Sequence, residues 1–269
     1  MKYALVLVLA IVPCFAFAEP ETQQPAPAQT AEVVTTIITV DGEPVTDETQ
    51  LLKLRLMIQQ SGIAEPILVI ETTVSDRPSN NNRHQVDGYT TIVTAQRFVT
   101  RIFSDQSDIR GTVWTGNDAA LRARAAKIAI STSWRMALAA LAREVAVDTT
   151  GTEIGRVTVD DHLVTDNVEL TKLHILMKKA GVTEPVQLVE TWTKERASVN
   201  NFHQVDAFSN VATTAKMLEN VPSEGARDTM WSGNDEKDLA RAKSAAVIES
   251  WTEACRRLAA PAATKVFVQ

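Results

Sequence analysis

The apolar positions of this chain follow two rhythms, one of period two and one of period near 3.6, and they alternate in a fixed order. Thr35 to Val40 is rich in β-branched residues and predicts a strand. Asp41-Gly42 behind it is the dipeptide of a type I′ hairpin turn leading into Glu43-Pro44-Val45. Thr46-Asp47 has the chemistry of a helix N-cap, and Leu51, Leu54 and Ile58 follow at helical spacing. Gly62 suits the left-handed C-cap that ends such a helix. Glu65-Pro66 then opens an apolar strand, ILVIETTV, with proline where a missing N–H is tolerated. Beyond an Asn-rich loop, Asp87 or Thr90 reads as a second cap, and Ile92, Ala95, Val99 and Ile102 recur at helical spacing, which predicts a second helix. An Ala-rich segment from about Ala119 to Ala146, capped by Asn117-Asp118, predicts a long third helix.

The same order then repeats. The stretch from Ile38 lies over the stretch from Val157, so Asp47, Leu54, Gly62 and Glu71 meet Asp166, Leu173, Gly181 and Glu190. After a two-residue slip between Phe103 and Arg110, Trp114 meets Trp231 and Trp134 meets Trp251. Matches spread along a whole unit signify duplication and not a shared local motif. The expected fold is therefore α+β, a tandem duplication of a small unit (β-hairpin, helix, strand, helix, long helix), with residues 35–150 as the first copy and 151–269 as the second. Pseudo-twofold pairing of the copies is the expected packing, by analogy with an ancestral homodimer. The β-prone Thr264 to Gln269 suggests that each sheet closes with a strand after its long helix, and that a strand near Arg156–Val159 serves both halves.

The first residues obey neither rhythm. Lys2 followed by the apolar run Ala4 to Phe17 and by Ala16-Phe17-Ala18 has the form of a signal peptide over 1–18. Pro13 before Cys14 is unlike a lipoprotein site, and the run is short for a membrane span. Residues 19–34, with Pro, Gln and Ala and little apolar bulk, read as a disordered leader. Export places the protein in the periplasm or outside the cell, with no stable membrane insertion after cleavage. Cys255 is then the one cysteine left, so no internal disulfide forms. Its helical surroundings suit a small buried apolar residue, although an odd thiol can also link two chains.

The chain carries 27 Lys+Arg against 33 Asp+Glu, a net charge of −6, with both signs interspersed. Loss of Lys2 makes the exported protein more acidic still. With no basic stripe and few aromatic residues, nucleic acid is a poor partner. A protein or small molecule of the cell envelope is the expected one, with no cofactor.

Candidate chemistry is thin. The shared NNxHQVD stretch presents Asn82, His84 and Asp87, matched by Asn201, His203 and Asp206. An imidazole and a carboxylate three apart can hold a metal or act as base and orienter. A turn fixed by its own hydrogen bonds explains the same residues, and a zinc site ordinarily needs three or four ligands. Glu71 and Glu190 sit inside apolar strands, so a Glu–His–Asp constellation is conceivable in each copy. In R-x-T-x-W-[TS]-G-N-D, Arg110 and Arg227 suit an anion clamp and Trp114 and Trp231 a stacking surface, while a core-docked Trp before a helix cap explains the stretch equally. G-x-S-x-G, P-loop, G-x-G-x-x-G, C-x-x-C and H-E-x-x-H motifs are absent from the sequence. These residues point first to a non-catalytic binding or interaction protein with its site between the copies. A periplasmic hydrolase using the Glu/His/Asp residues is second, and a metal-binding protein third.

Cleavage after Ala18 should leave a mature chain beginning at Glu19. The intact mass of the exported protein checks this, and retention of residues 1–18 or a lipid on Cys14 would contradict it.

Overall fold

The computed structural model describes residues 36–78, 83–103, 110–112, 118–151, 153–196, 202–223, 226–229 and 235–260. The expected signal and leader segments, Trp114, Trp231, Asn82, Asn201 and the stretch from Thr264 lie outside them. The first copy runs β1 (Ile37–Val40), β2 (Glu43–Pro44), α1 (Glu48–Ser61), β3 (Ile67–Pro78), β4 (Arg83–Thr94), β5 (Phe98–Phe103), β6 (Arg110–Thr112) and α2 (Asp118–Leu141). The second runs β7 (Ile154–Val159), β8 (His162–Leu163), α3 (Asn167–Ala180), β9 (Val186–Arg196), β10 (Phe202–Thr213), β11 (Met217–Pro222), β12 (Ala226–Thr229) and α4 (Asp235–Ala259). Each element of one copy has its partner in the other, and the α+β duplication holds.

Local chemistry explains the first half of each copy. Asp41 (φ 52°) and Gly42 (φ 79°) turn β1 into β2, and Asp160 (φ 47°) and Asp161 (φ 64°) do the same without glycine. The turn aspartates also reach inward: Asp41 Oδ1 accepts from the Val74 N–H at 2.9 Å, and Asp160 Oδ1 accepts from the Thr193 N–H at 2.7 Å. Asp47 and Asp166 cap α1 and α3, and Gly62 and Gly181 end them in the left-handed region. The sheet order is β2-β1-β3-β4-β5, with β6 on the far end of β4, and it recurs as β8-β7-β9-β10-β11 with β12 on β10. Among the described residues, only the β1–β3 and β7–β9 pairs are parallel.

Two expectations about elements are corrected. The predicted second helix is a hairpin of β4 and β5, and Asp87, Thr90, Asp206 and Ser209 are strand residues, not caps. The turn at Ala95 to Arg97 is closed by Thr94, whose Oγ1 accepts from the Gln96 and Arg97 N–H groups at 3.2 and 3.0 Å. Both faces of β4 are covered, leaving Ile92 and Val93 fully buried side by side, and a strand so covered loses its alternation. Among the described residues, no strand follows α2 into the first sheet, and β7 pairs only within the second.

Each long helix is fastened to its sheet by a buried chain of hydroxyls beneath a tryptophan. Trp134 Nε1 donates to Thr72 Oγ1 at 2.8 Å, Thr72 pairs with Thr90 at 3.0 Å, and Thr90 donates to Ser133 at 2.8 Å. The second copy repeats it: Trp251 to Thr191 at 2.9 Å, Thr191 with Ser209 at 2.9 Å, Ser209 with Ser250 at 2.7 Å. Every member is buried, so each polar atom needs the next. A cation anchors the end of each long helix. Arg97 donates to the Glu144 carbonyl at 2.9 Å beyond α2, and Lys216 to the Leu258 carbonyl at 2.8 Å near the end of α4.

The copies stack head to tail, not as a pseudo-twofold pair. Sheet one turns one face to α1 and α2; its other face is covered by α3 and α4 of the second copy. Val93 and Phe98 belong to the same apolar cluster as Ile175, Leu176 and Trp251. Lys237 of α4 meets Asp41 at 3.4 Å, and Lys179 of α3 meets Glu144 at 2.5 Å while lying 5.8 Å from the Phe98 ring centre. The layers run α1/α2, first sheet, α3/α4, second sheet.

Replacing Thr72 or Thr191 by Val keeps the shape but strands the indole N–H of Trp134 or Trp251. Each should cost about 1–3 kcal/mol in urea unfolding, with similar losses in both copies. A neutral outcome at either would show the hydroxyl chain to be dispensable there.

Candidate functional site

Stacking leaves a cleft of about 280 Å³ between the outer face of the first sheet and α4. The β1–β2 turn supplies Asp41 and the strands supply Glu71, Thr73, Tyr89, Thr91 and Arg101; the helix supplies Lys237, Arg241, Ser244 and Ile248. Strand alternation explains the sheet side. Ile70 and Thr72 face the α2 core, so Glu71 and Thr73 face away from it, and Thr91 pairs with Glu71 across the β3–β4 ladder.

Arg101 reaches the cleft from an irregular backbone. The β4–β5 register shifts between Thr90 and Ile92, and Arg101 takes φ 55°, a left-handed conformation unfavourable for a residue bearing a Cβ. Its N–H is met by Thr91 Oγ1 at 3.3 Å. The second copy builds the same bulge with Asn220 (φ 52°), a residue that tolerates this region, held by Asn210 Oδ1 at 2.9 Å. Across the cleft, the Arg241 guanidinium lies 4.4 Å from the Tyr89 ring centre and pairs with buried Asp238. With Lys237 on Asp41, the walls carry both signs of charge, cations in slight excess.

The candidate residues from the sequence are spread out. Glu71 lines the cleft; its counterpart Glu190 pairs with Asn210 on the open face of the second sheet. Asp87 is buried opposite Ser75, and Asp206 is buried in an ion pair with Arg196. His84 and His203 belong to β4 and β10, where their backbones pair with Gly111 and Asp228; their side chains lie outside the description. Position 84 lies seven residues along β4 from Thr91, the partner of Glu71, or about 23 Å at ~3.3 Å per residue. The structure therefore does not bring Glu71, His84 and Asp87 together, and the same registers separate Glu190, His203 and Asp206. Arg110 opens β6 and Arg227 lies in β12, opposite Gln85 and Gln204, with side chains again undescribed. Among the described residues, no three of His, Cys, Asp and Glu gather as metal ligands.

Cys255 is buried in α4, and burial pushes its thiol up to about 12, which suits the small apolar residue expected there.

Tyr89, Arg101, Lys237 and Arg241 were not singled out in the sequence. Sequence comparison favours what the two copies share, whereas this cleft is formed only once. The available signal was divergence at matched positions: Tyr89 against Phe208, Arg101 against Asn220, Lys237 against Ala120. No known family model, curated protein or solved structure matches the chain.

Proposed function

We propose that this is an exported cell-envelope protein that binds a small polar ligand, bearing an anionic group, in the cleft between its copies. One observation carries the reading: Arg101 is held in a costly left-handed conformation at a bulge, and it lines the cleft. Strain of this kind concentrates at ligand-binding positions. The second copy, whose equivalent face is open, has Asn at the same bulge and so avoids the strain. The volume lies at the small end of ligand sites, which suits a molecule the size of an amino acid or monosaccharide. Arg101 and Arg241 would take the anionic group, and Glu71 an ammonium or hydroxyl donor. The separation of Glu71 from positions 84 and 87 favours binding over hydrolysis, since a catalytic constellation must converge. No helix among the described residues is long and apolar enough to cross a membrane.

Native mass spectrometry of protein isolated from a periplasmic extract tests this. A small adduct should be carried by the wild type and lost from Arg101→Asn, whose melting temperature should stay level or rise because strain is relieved. An adduct retained by Arg101→Asn, or a wild type that binds nothing from the extract or from a panel of amino acids and small carboxylates, would refute the reading.

A further inference from the structure

Head-to-tail stacking has a consequence that pseudo-twofold pairing would not. An isologous contact uses the same patch on both copies and closes; a heterologous contact uses two different patches and leaves one of each unsatisfied. Here the sheet face of the first copy meets the helix face of the second. Among the described residues, nothing covers the helix face of the first or the sheet face of the second. We propose that these open faces bind each other between molecules, so that a second copy of the chain continues the stack.

The residues at the open faces are counterparts of those buried at the internal one. On the helix side, Leu56 is 48% exposed where its counterpart Ile175 is 0%, and Ile128 is 46% exposed where Ala245 is partly buried against the internal cluster. On the sheet side, Met217 is 62% exposed where its counterpart Phe98 is 9%. Leu52 and Trp192 add to these two patches, so most of the large exposed apolar side chains of the described residues fall on the two open faces. Soluble proteins seldom leave such patches without an occupant.

The specific contact is also prepared on both sides. Internally, Arg241 docks on the ring of Tyr89. The counterpart of Arg241 is Arg124, exposed on α2; the counterpart of Tyr89 is Phe208, which stacks on Trp192 with centroids 6.0 Å apart on the open sheet. An arginine and an aromatic platform are thus displayed on opposite ends of one molecule, matched as they are inside it. Charge agrees in part: Lys53, Arg55 and Arg124 are exposed on the helix face, while Glu190 and Glu219 share the sheet face with Lys194 and the Arg196–Asp206 ion pair. A groove between α1 and α2, lined by Lys53, Lys127 and Ile128, repeats the side of α4 that roofs the internal cleft. Neither internal ion pair is reproduced, since Ala120 stands where Lys237 does and Gln60 where Lys179 does, so the intermolecular contact should be weaker than the internal one.

This inference does not depend on ligand binding in the cleft. Sedimentation velocity of the mature chain, from low to high micromolar, should show mass rising with concentration, beyond a dimer or to a closed ring. Ile128→Glu damages only the helix face and Trp192→Glu only the sheet face, and each should weaken association by about tenfold or more. Circular dichroism and melting confirm that each variant folds, and Arg124→Glu replaces Ile128→Glu should that variant fail. The decisive step mixes the two variants. Each retains the face the other lacks, so the mixture should form a one-to-one heterodimer that goes no further. A wild type that stays monomeric throughout, which would assign the faces to another partner, overturns the proposal. So do variants that associate like wild type, or a mixture that forms no heterodimer.

Discussion

A sheet with helices on one side keeps a second face, and where that face is apolar it too must leave water; this constraint organises the molecule. In each copy a helix pair, α1 and α2 or α3 and α4, covers one face, and the Trp–Thr–Thr/Ser–Ser chain fastens the long helix, α2 or α4, to it. Their apolar inner stripe is used up there. The other face of the first sheet, with Val93 and Phe98 at its centre, can be buried only by something outside its own unit, and α3 and α4 provide it. Those helices are consequently sandwiched, which is why Ile175 and Leu176 are buried where Leu56 and Met57 are not. A tandem copy thereby does what a larger single domain would do with extra helices.

Asymmetry follows from the same arrangement. Two nearly equivalent units, stacked in one direction, produce one internal junction, and that junction holds the cleft with Arg101, Arg241 and Glu71. Equivalent positions in the other copy face outward. A feature shared by both copies is thus more informative about the common scaffold than about a site formed once. The hydroxyl chain, the turn aspartates Asp41 and Asp160, and the caps Asp47 and Asp166 are scaffold in this sense.

Legibility in the sequence tracked how local the determining forces were. The Asp-Gly turn, the N-caps, the C-cap glycines and Glu65-Pro66 depend on neighbours within a few residues, and each is where the pattern placed it. The β4–β5 hairpin reads as a helix in the sequence because Ile92, Ala95, Val99 and Ile102 mimic helical spacing once both faces of a strand are buried. That double burial comes from the other copy, far along the chain. The hydroxyl chain was present as identities, Thr72 with Thr191 and Ser133 with Ser250, but a threonine in a strand carries no sign of a tryptophan above it. Which face of which unit would meet was not legible, because it rests on side chains brought together only by the stack.

The direction of stacking is the central claim, and zero-length carbodiimide cross-linking reads it most directly. In dilute protein, with the single-chain band digested and sequenced by mass spectrometry, Lys237 should link to Asp41 and Lys179 to Glu144, the contacts at 3.4 and 2.5 Å. Links instead from Lys127 to Asp160 or Glu190 within one chain would place the first copy's helices on the second sheet and contradict the account.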